Sequence, residues 1–249
     1  MKKIVFFIVI LSAIGNAQSI DSLFVKANKL YQQESYTKAL KIYQQIDSLQ
    51  EQSDALYFNM ANAYYKTNQV APAIYYYEKA LKLNPSNSDY NFNLQFAKRM
   101  TLDNIEVLPK SIGQRFRDSI ILLFTYNTWA TIAVILAFLF ALLFLLYHFS
   151  YRTGIKRFYF VASILCVIFV TTSVFFAYRN YQYVSNLRTA IIFKQEVNVR
   201  SAPSNSGEIN FELHEGTKVE ILESLDNWMK IKISDGKTGW INADNLREI

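Results

Sequence analysis

Two histidines and one cysteine are all the imidazole and thiol groups that this 249-residue chain holds for general-base, metal-ligand or nucleophile roles. His148 stands at the end of a long apolar run with no evident partner. His214 precedes Gly216 in a predicted turn, and no second ligand lies near it, so a turn role outweighs a metal role. Cys166 falls within another apolar run, where a small buried filler is the better reading than a redox thiol. The sequence contains no G-x-S-x-G, no glycine-rich phosphate loop and no H-E-x-x-H. Acidic residues towards the C-terminus are scattered over predicted turns and outer strand positions, as solvated charges are. No catalytic residue, no metal site and no cofactor is therefore expected. What remains is the chemistry of binding, carried by carboxamides and aromatic rings.

Those groups need elements to hold them. Over residues 20–87 the chain repeats with a period of 34: Ala27 returns as Ala61, Asn28 as Asn62, Tyr31 as Tyr65, Ala39 as Ala73 and Tyr43 as Tyr77. The second copy ends Leu83-Asn84-Pro85, where proline stops a helix. Period and residue types resemble the tetratricopeptide repeat, a pair of antiparallel helices whose alanines mark close helix approach. A further helix near Asn87–Met100, with Leu94 and Ala97, is expected to cap the stack. Two repeats are short for such an array, so the exposed end calls for a cover, either a partner protein or the juxtamembrane helix. The inner surface is expected to present Asn28, Asn59, Asn62, Tyr65, Lys66 and Asn93. They would form a groove for an extended peptide or partner helix, or else a merely solvated face. The family's carboxylate-binding version needs basic residues in the third repeat, where this chain has Asp89 and Asn93.

From residue 189 the texture changes to short alternating runs, Val197–Val199, Lys218–Ile221, Trp228–Ile233 and Thr238–Ile241, which read as four or five strands of a small barrel or sandwich. The stretches Val197-Asn198-Val199-Arg200-Ser201-Ala202-Pro203, Leu213-His214-Glu215-Gly216-Thr217-Lys218-Val219 and Asp235-Gly236-Lys237-Thr238-Gly239-Trp240-Ile241, with Trp228 between them, are similar to the bacterial SH3-like domain. That resemblance implies binding of peptides or cell-wall material across loops and an aromatic surface. Phe211, Trp228 and Trp240 are the candidates, with core packing the stronger role for Trp240 and an open choice between core and surface for Trp228.

The formal charge of +6 would suit a nucleic-acid binder if it lay on a folded face, but it does not. Residues 18–108 balance nine basic against nine acidic side chains. Residues 109–188 carry eight basic residues against Asp118 alone, and 189–249 are net acidic. The positive charge thus flanks two hydrophobic runs, Trp129–Tyr147 and Phe158–Tyr178, each near the ~20 residues that cross a bilayer as a helix. Arg152, Lys156 and Arg157 lie between them in a short loop without acids, which predicts a cytoplasmic turn. Ile112, Phe116, Ile120 and Phe124 recur every fourth residue and predict a helix lying on the outer leaflet. Lys2 and Lys3, the apolar Ile4–Leu11 and the small residues Gly15 and Ala17 predict a signal peptide cut after Ala17.

The expected organisation is a signal peptide (1–17), a tetratricopeptide region (20–100), a juxtamembrane linker with an amphipathic helix (101–126), a first span (127–149), a basic cytoplasmic loop (150–157), a second span (158–178) and an SH3-like domain (189–249). The fold class is therefore multidomain: all-α helical hairpins, a two-helix membrane hairpin and an all-β small barrel. This order resembles the BatE family, the E-type component of the Bacteroides aerotolerance operon. The resemblance implies a complex with von Willebrand factor A-type and tetratricopeptide Bat proteins, linked to oxygen or envelope-stress tolerance. The sequence therefore predicts a non-catalytic adaptor in the cytoplasmic membrane, both soluble domains outside, with protein partners, a lipid bilayer around it and no nucleic acid. The alternative is a peptidoglycan-binding sensor that signals through the hairpin.

Overall fold

The computed structural model describes residues 20–50 and 52–249, so the expected signal peptide lies outside the described residues. Two compact units emerge. One joins the chain up to Val107 with Arg188–Ile249, and the other is Leu108–Leu187.

The helical half of the first unit is a run of five helices: α1 (20–32), α2 (Tyr36–Ser48), α3 (Asp54–Lys66), α4 (Val70–Leu83) and α5 (Ser88–Lys98). Local chemistry sets several boundaries. The Ser53 hydroxyl accepts the Leu56 N–H at the start of α3, and the Asn87 side chain accepts the Asp89 and Tyr90 N–H groups at the start of α5. Glu34 and Asn68, one period apart, take the same left-handed conformation (φ 59° and 58°) in the two intra-repeat turns. Ala27, Ala39, Ala61, Ala63, Ala73, Ala80 and Ala97 are wholly buried, as close helix approach requires. Leu94 and Ala97 bury α5 against this core.

The other half is a seven-stranded antiparallel sheet in the order β3-β2-β6-β5-β4-β1-β7, built from β1 (Thr189–Ile192), β2 (Glu196–Arg200), β3 (Ile209–His214), β4 (Lys218–Leu225), β5 (Trp228–Lys232), β6 (Thr238–Asn242) and β7 (Leu246–Glu248). The four alternating runs in the sequence are β2, β4, β5 and β6. Three further strands were not evident from alternation, for separate reasons. β1 is apolar from Ala190 onward without alternation, β3 is mostly exposed, and β7 is three residues long.

β1 is buried on both faces. Ala190 and Ile192 enter the sheet's own core, while Ile191 packs into the helical core, with Phe193 following it there. This is the period-two geometry of a strand with a different apolar neighbour on each side. It joins the two halves through a seam along α4. The expected covers for the helical stack, a partner or the juxtamembrane helix, are thus joined by a third, the β-domain, which lies against α4. The side of α5 that carries Phe92 remains open.

The second unit contains α6 (Ile112–Ser119), a 3-10 turn (Ile121–Leu123), α7 (Tyr126–Phe149) and α8 (Thr153–Asn186). The helix expected along Ile112, Phe116, Ile120 and Phe124 stops early, at Ser119. The reason lies in α8: the buried Asn180 side chain donates to the carbonyls of Ile121 (3.0 Å) and Phe124 (2.7 Å), and the Trp129 indole N–H donates to Ile121 O (2.9 Å). Carbonyls held this way turn the chain into α7 instead of continuing α6. Buried positions on α8 are Ser163, Cys166, Ser173 and Asn180, small or polar residues at spacings of three and seven that let the helices approach. Both α7 and α8 are long and apolar enough to cross a membrane, and their large side chains are mostly exposed.

Candidate functional site

The inner asparagines form a ladder. Asn28 Oδ1 accepts from the Tyr43 hydroxyl (2.6 Å) and from Asn59 Nδ2 (3.0 Å). One period later Asn62 Oδ1 accepts from the Tyr77 hydroxyl (2.5 Å) and from Asn93 Nδ2 (3.1 Å). Each rung therefore spans α1, α2 and α3, or α3, α4 and α5. Burial raises the pKa of Tyr43 and Tyr77 well above the ordinary phenol value, so both stay protonated as donors. The carbonyl of each of Asn28 and Asn62 is engaged twice, and among the described residues no hydrogen bond reaches their NH2 groups or the carbonyls of Asn59 and Asn93. Donor and acceptor side by side suit the amide of an extended chain.

A cleft of about 330 Å³ opens beside the second rung. Tyr31, Tyr65 and Phe96 supply apolar walls, Asn62, Asn93 and Tyr77 the polar floor, and Lys66 a cation. Lys66 is exposed and forms no ion pair among the described residues. Four of the six expected groove residues, Asn62, Tyr65, Lys66 and Asn93, thus line this cleft, and the other two, Asn28 and Asn59, bond to each other in the first rung. Tyr43, Tyr77 and Phe96 were not singled out as groove residues, although the repeat of Tyr43 as Tyr77 was the available signal. The Tyr77→Phe variant removes one donor from Asn62 and should lower stability by about 0.5–1.5 kcal/mol. Thermal unfolding monitored by circular dichroism reads that change directly.

The expected aromatic surface of the β-half divides between two faces. Phe211 lies opposite Val199 and packs on the sheet's core. Trp228 and Trp240 lie on β5 and β6, opposite Asn242 and Lys230 respectively, on the face away from Ile231 and Ile241. Trp240 is only 9% exposed, among the buried hydrophobic residues, with the Lys230 ammonium 5.8 Å from its ring centre and Arg200 opposite on β2.

A separate set of polar contacts lies in the seam. Asp103, in the segment after α5, accepts the His214 N–H (2.8 Å) and the Thr217 hydroxyl (2.5 Å) on one oxygen, and faces His214 Nδ1 (2.7 Å) with the other. Burial disfavours its charge, but these bonds outweigh that and hold its carboxyl below the usual range. The bond to Asp103 raises the His214 pKa. His214 therefore has a partner from the helical half and serves the seam. Glu78 on α4 is buried between Lys218 (2.6 Å) and Lys98 (3.1 Å), and the two ammonium groups overcome its desolvation to keep its pKa low. Tyr75 meets Phe193 edge-on at 5.6 Å, and Lys82 donates to the Ile249 carbonyl at 2.7 Å. No sequence pattern ties residues more than 100 positions apart, so these pairs were not foreseen. The unbroken apolar run at 190–193 was the trace they left. No group of three metal-binding side chains occurs among the described residues.

Comparison with known proteins fits this geometry. Residues 55–87 match the tetratricopeptide repeat family and residues 195–247 the bacterial SH3 domain family, both non-catalytic modules. Asn28 and Tyr43 of the first rung precede the former match, which takes in Asn59, and β1 lies outside the latter. A curated protein of Bacillus subtilis (strain 168), "Putative N-acetylmuramoyl-L-alanine amidase YrvJ", is 34% identical over 83 residues, which is 33% of this chain and 15% of the relative. The chain therefore spans a small part of that relative's length.

Proposed function

We propose that this chain is a non-catalytic, membrane-anchored adaptor whose helical groove holds an extended segment of a partner protein at the outer face of the cytoplasmic membrane. The observation that carries this reading is the pair of asparagine rungs, one period apart, which leave amide donors and acceptors without partners among the described residues, the second rung beside Lys66. A merely solvated face has no need of two identical three-helix hydrogen-bond sets. Lys66 favours an acidic side chain on the bound segment. The exposed apolar surface of α7 and α8 supports a membrane anchor, since a soluble core helix would hide those side chains. The turn itself is shorter than the loop expected over 150–157, because α8 starts at Thr153. Arg152 at its N-cap, with Lys156 and Arg157 in its first turns, still supports a cytoplasmic hairpin tip. Order and content of the modules are in keeping with a BatE-like component of a complex with von Willebrand factor A-type and other tetratricopeptide proteins, in aerotolerance or envelope stress.

Crosslinking in membranes followed by mass spectrometry tests the adaptor role. Wild-type protein should capture a discrete partner set, and the Asn62→Ala/Asn93→Ala double variant should lose it while remaining folded. An unchanged set in that variant would remove the groove from the account. Orientation is tested with single cysteines at positions 50 and 225, which an impermeant maleimide should label in intact spheroplasts.

A second reading, binding of peptidoglycan, is favoured by the SH3 match and by the muramoyl-alanine linkage in the name of the amidase relative. Here the full chain is the proper reagent, because a fragment starting at residue 189 would expose Ile191 and Phe193. Retention on purified peptidoglycan that falls with Trp228→Ala supports this reading, and no retention of the full chain ends it.

A further inference from the structure

Between the end of α7 and the start of α8 lies an open cleft of about 400 Å³ lined by Tyr147, Thr153, Lys156, Arg157, Phe160 and Val161. Its walls are mainly apolar. The rings of Tyr147 and Phe160 lie 5.6 Å apart, and the half-buried Lys156 places its ammonium 5.1 Å from the Tyr147 ring. Arg157 lines the same space, and Arg152 precedes Lys156 by one helical turn. None of the three cations has an ion pair among the described residues, and no Asp or Glu occurs between Asp118 and Glu196. Arg152, at the N-cap of α8, provides no side-chain cap, so the first N–H groups of this long helix also remain available to an acceptor.

The geometry points to a binding site for an anionic phospholipid, its phosphate held by Lys156 and Arg157 with Arg152 close by, and its acyl chain laid along Phe160 and Val161. Two features select an amphiphile over a free anion. Uncompensated cations call for a negative ligand, and the apolar wall beside them calls for hydrocarbon. The site sits at the end of two apolar helices, where headgroups meet chains in a bilayer. It rests on the reading that α7 and α8 cross the membrane.

The test uses the full chain, purified in neutral detergent and titrated by native mass spectrometry with phosphatidylglycerol, phosphatidylcholine and inorganic phosphate. Wild-type protein should retain phosphatidylglycerol at least about tenfold better than phosphatidylcholine, as expected when several cations near a charged surface each contribute. The variant Arg152→Gln/Lys156→Gln/Arg157→Gln should lose that preference, and Arg179→Gln, at the other end of α8, should keep it. Equal retention of both lipids, or a preference surviving in the triple variant, overturns the site. Displacement of phosphatidylglycerol by inorganic phosphate at similar concentration overturns the lipid assignment in favour of a free anion. Carbonate extraction separates the underlying reading: protein released by carbonate contradicts spanning, whereas protein retained in the membrane without lipid preference contradicts only the site.

Discussion

Replacing Gly216 with alanine is expected to open the seam between the helical and β halves and to lower stability by about 2–5 kcal/mol, the sum of a left-handed backbone penalty of about 1–2 and overpacking of about 1–3. Gly216 has φ +87°, and a Cβ there would stand 2.8 Å from Thr101 Cγ2, 3.0 Å from Ile74 Cδ1 and 3.1 Å from Val70 Cγ1. These neighbours belong to α4 and the segment just after α5, so the added methyl pushes the two halves apart instead of relaxing into its own turn. Gly236, with φ +89° in the turn between β5 and β6, provides the control for backbone cost alone. Thermal unfolding should fall further for Gly216→Ala than for Gly236→Ala, and only the former should speed proteolysis within residues 101–107. Equal losses would mean that the seam packing contributes nothing.

Removing the Asp103 carboxylate is the second large effect. Asp103→Ala leaves the His214 N–H and the buried Thr217 hydroxyl without their acceptor, at about 1–3 kcal/mol for each stranded group. The same site sets a pH optimum. Because the Asp103 and Glu78 pKa values are lowered by folding, their contribution is complete above the unfolded carboxyl range near 4 and is lost as pH falls through the folded values. Because the His214 pKa is raised, its contribution is complete below its unfolded value near 6.5 and is lost as pH rises through the folded one. Melting temperature should therefore peak between about pH 4 and 6.5 and decline on both sides. The alkaline decline should vanish in Asp103→Asn, while Glu78 preserves part of the acid limb. A profile unchanged by Asp103→Asn would rule out this pairing as its source.

The contrast between the ladder and the seam explains what a sequence can reveal. Asn28 and Asn62, or Tyr43 and Tyr77, announce themselves because a repeat writes the same contact twice at a fixed interval, and helical periodicity then assigns each to a face. The inner position of the asparagines was legible for that reason. Their bonds to Tyr43 and Tyr77 were less so, because they cross between helices whose separation only packing determines. Glu78 and Lys218, by contrast, are 140 positions apart and each reads as an ordinary solvated charge on its own element. Only burial by a second module turns them into a pair. β1 misled for a related reason: a strand with two apolar neighbours loses the alternation that identifies strands. Asn180 was missed because one carboxamide near the polar end of an apolar helix looks like the end of the span, whereas here it holds two carbonyls and ends α6.

The seam also has a consequence for threading. The helical and β halves that it joins are separated in the chain by the 80 residues Leu108–Leu187, so the first unit is a discontinuous domain with the hairpin as an insertion. A domain of this kind can close only if both of its halves reach the same compartment. An odd number of crossings by the insertion would leave Ile191 on one side of a bilayer and Ile74 on the other. The parity of the crossings is thereby fixed by a packing contact far from any lipid: either both α7 and α8 traverse, or neither does.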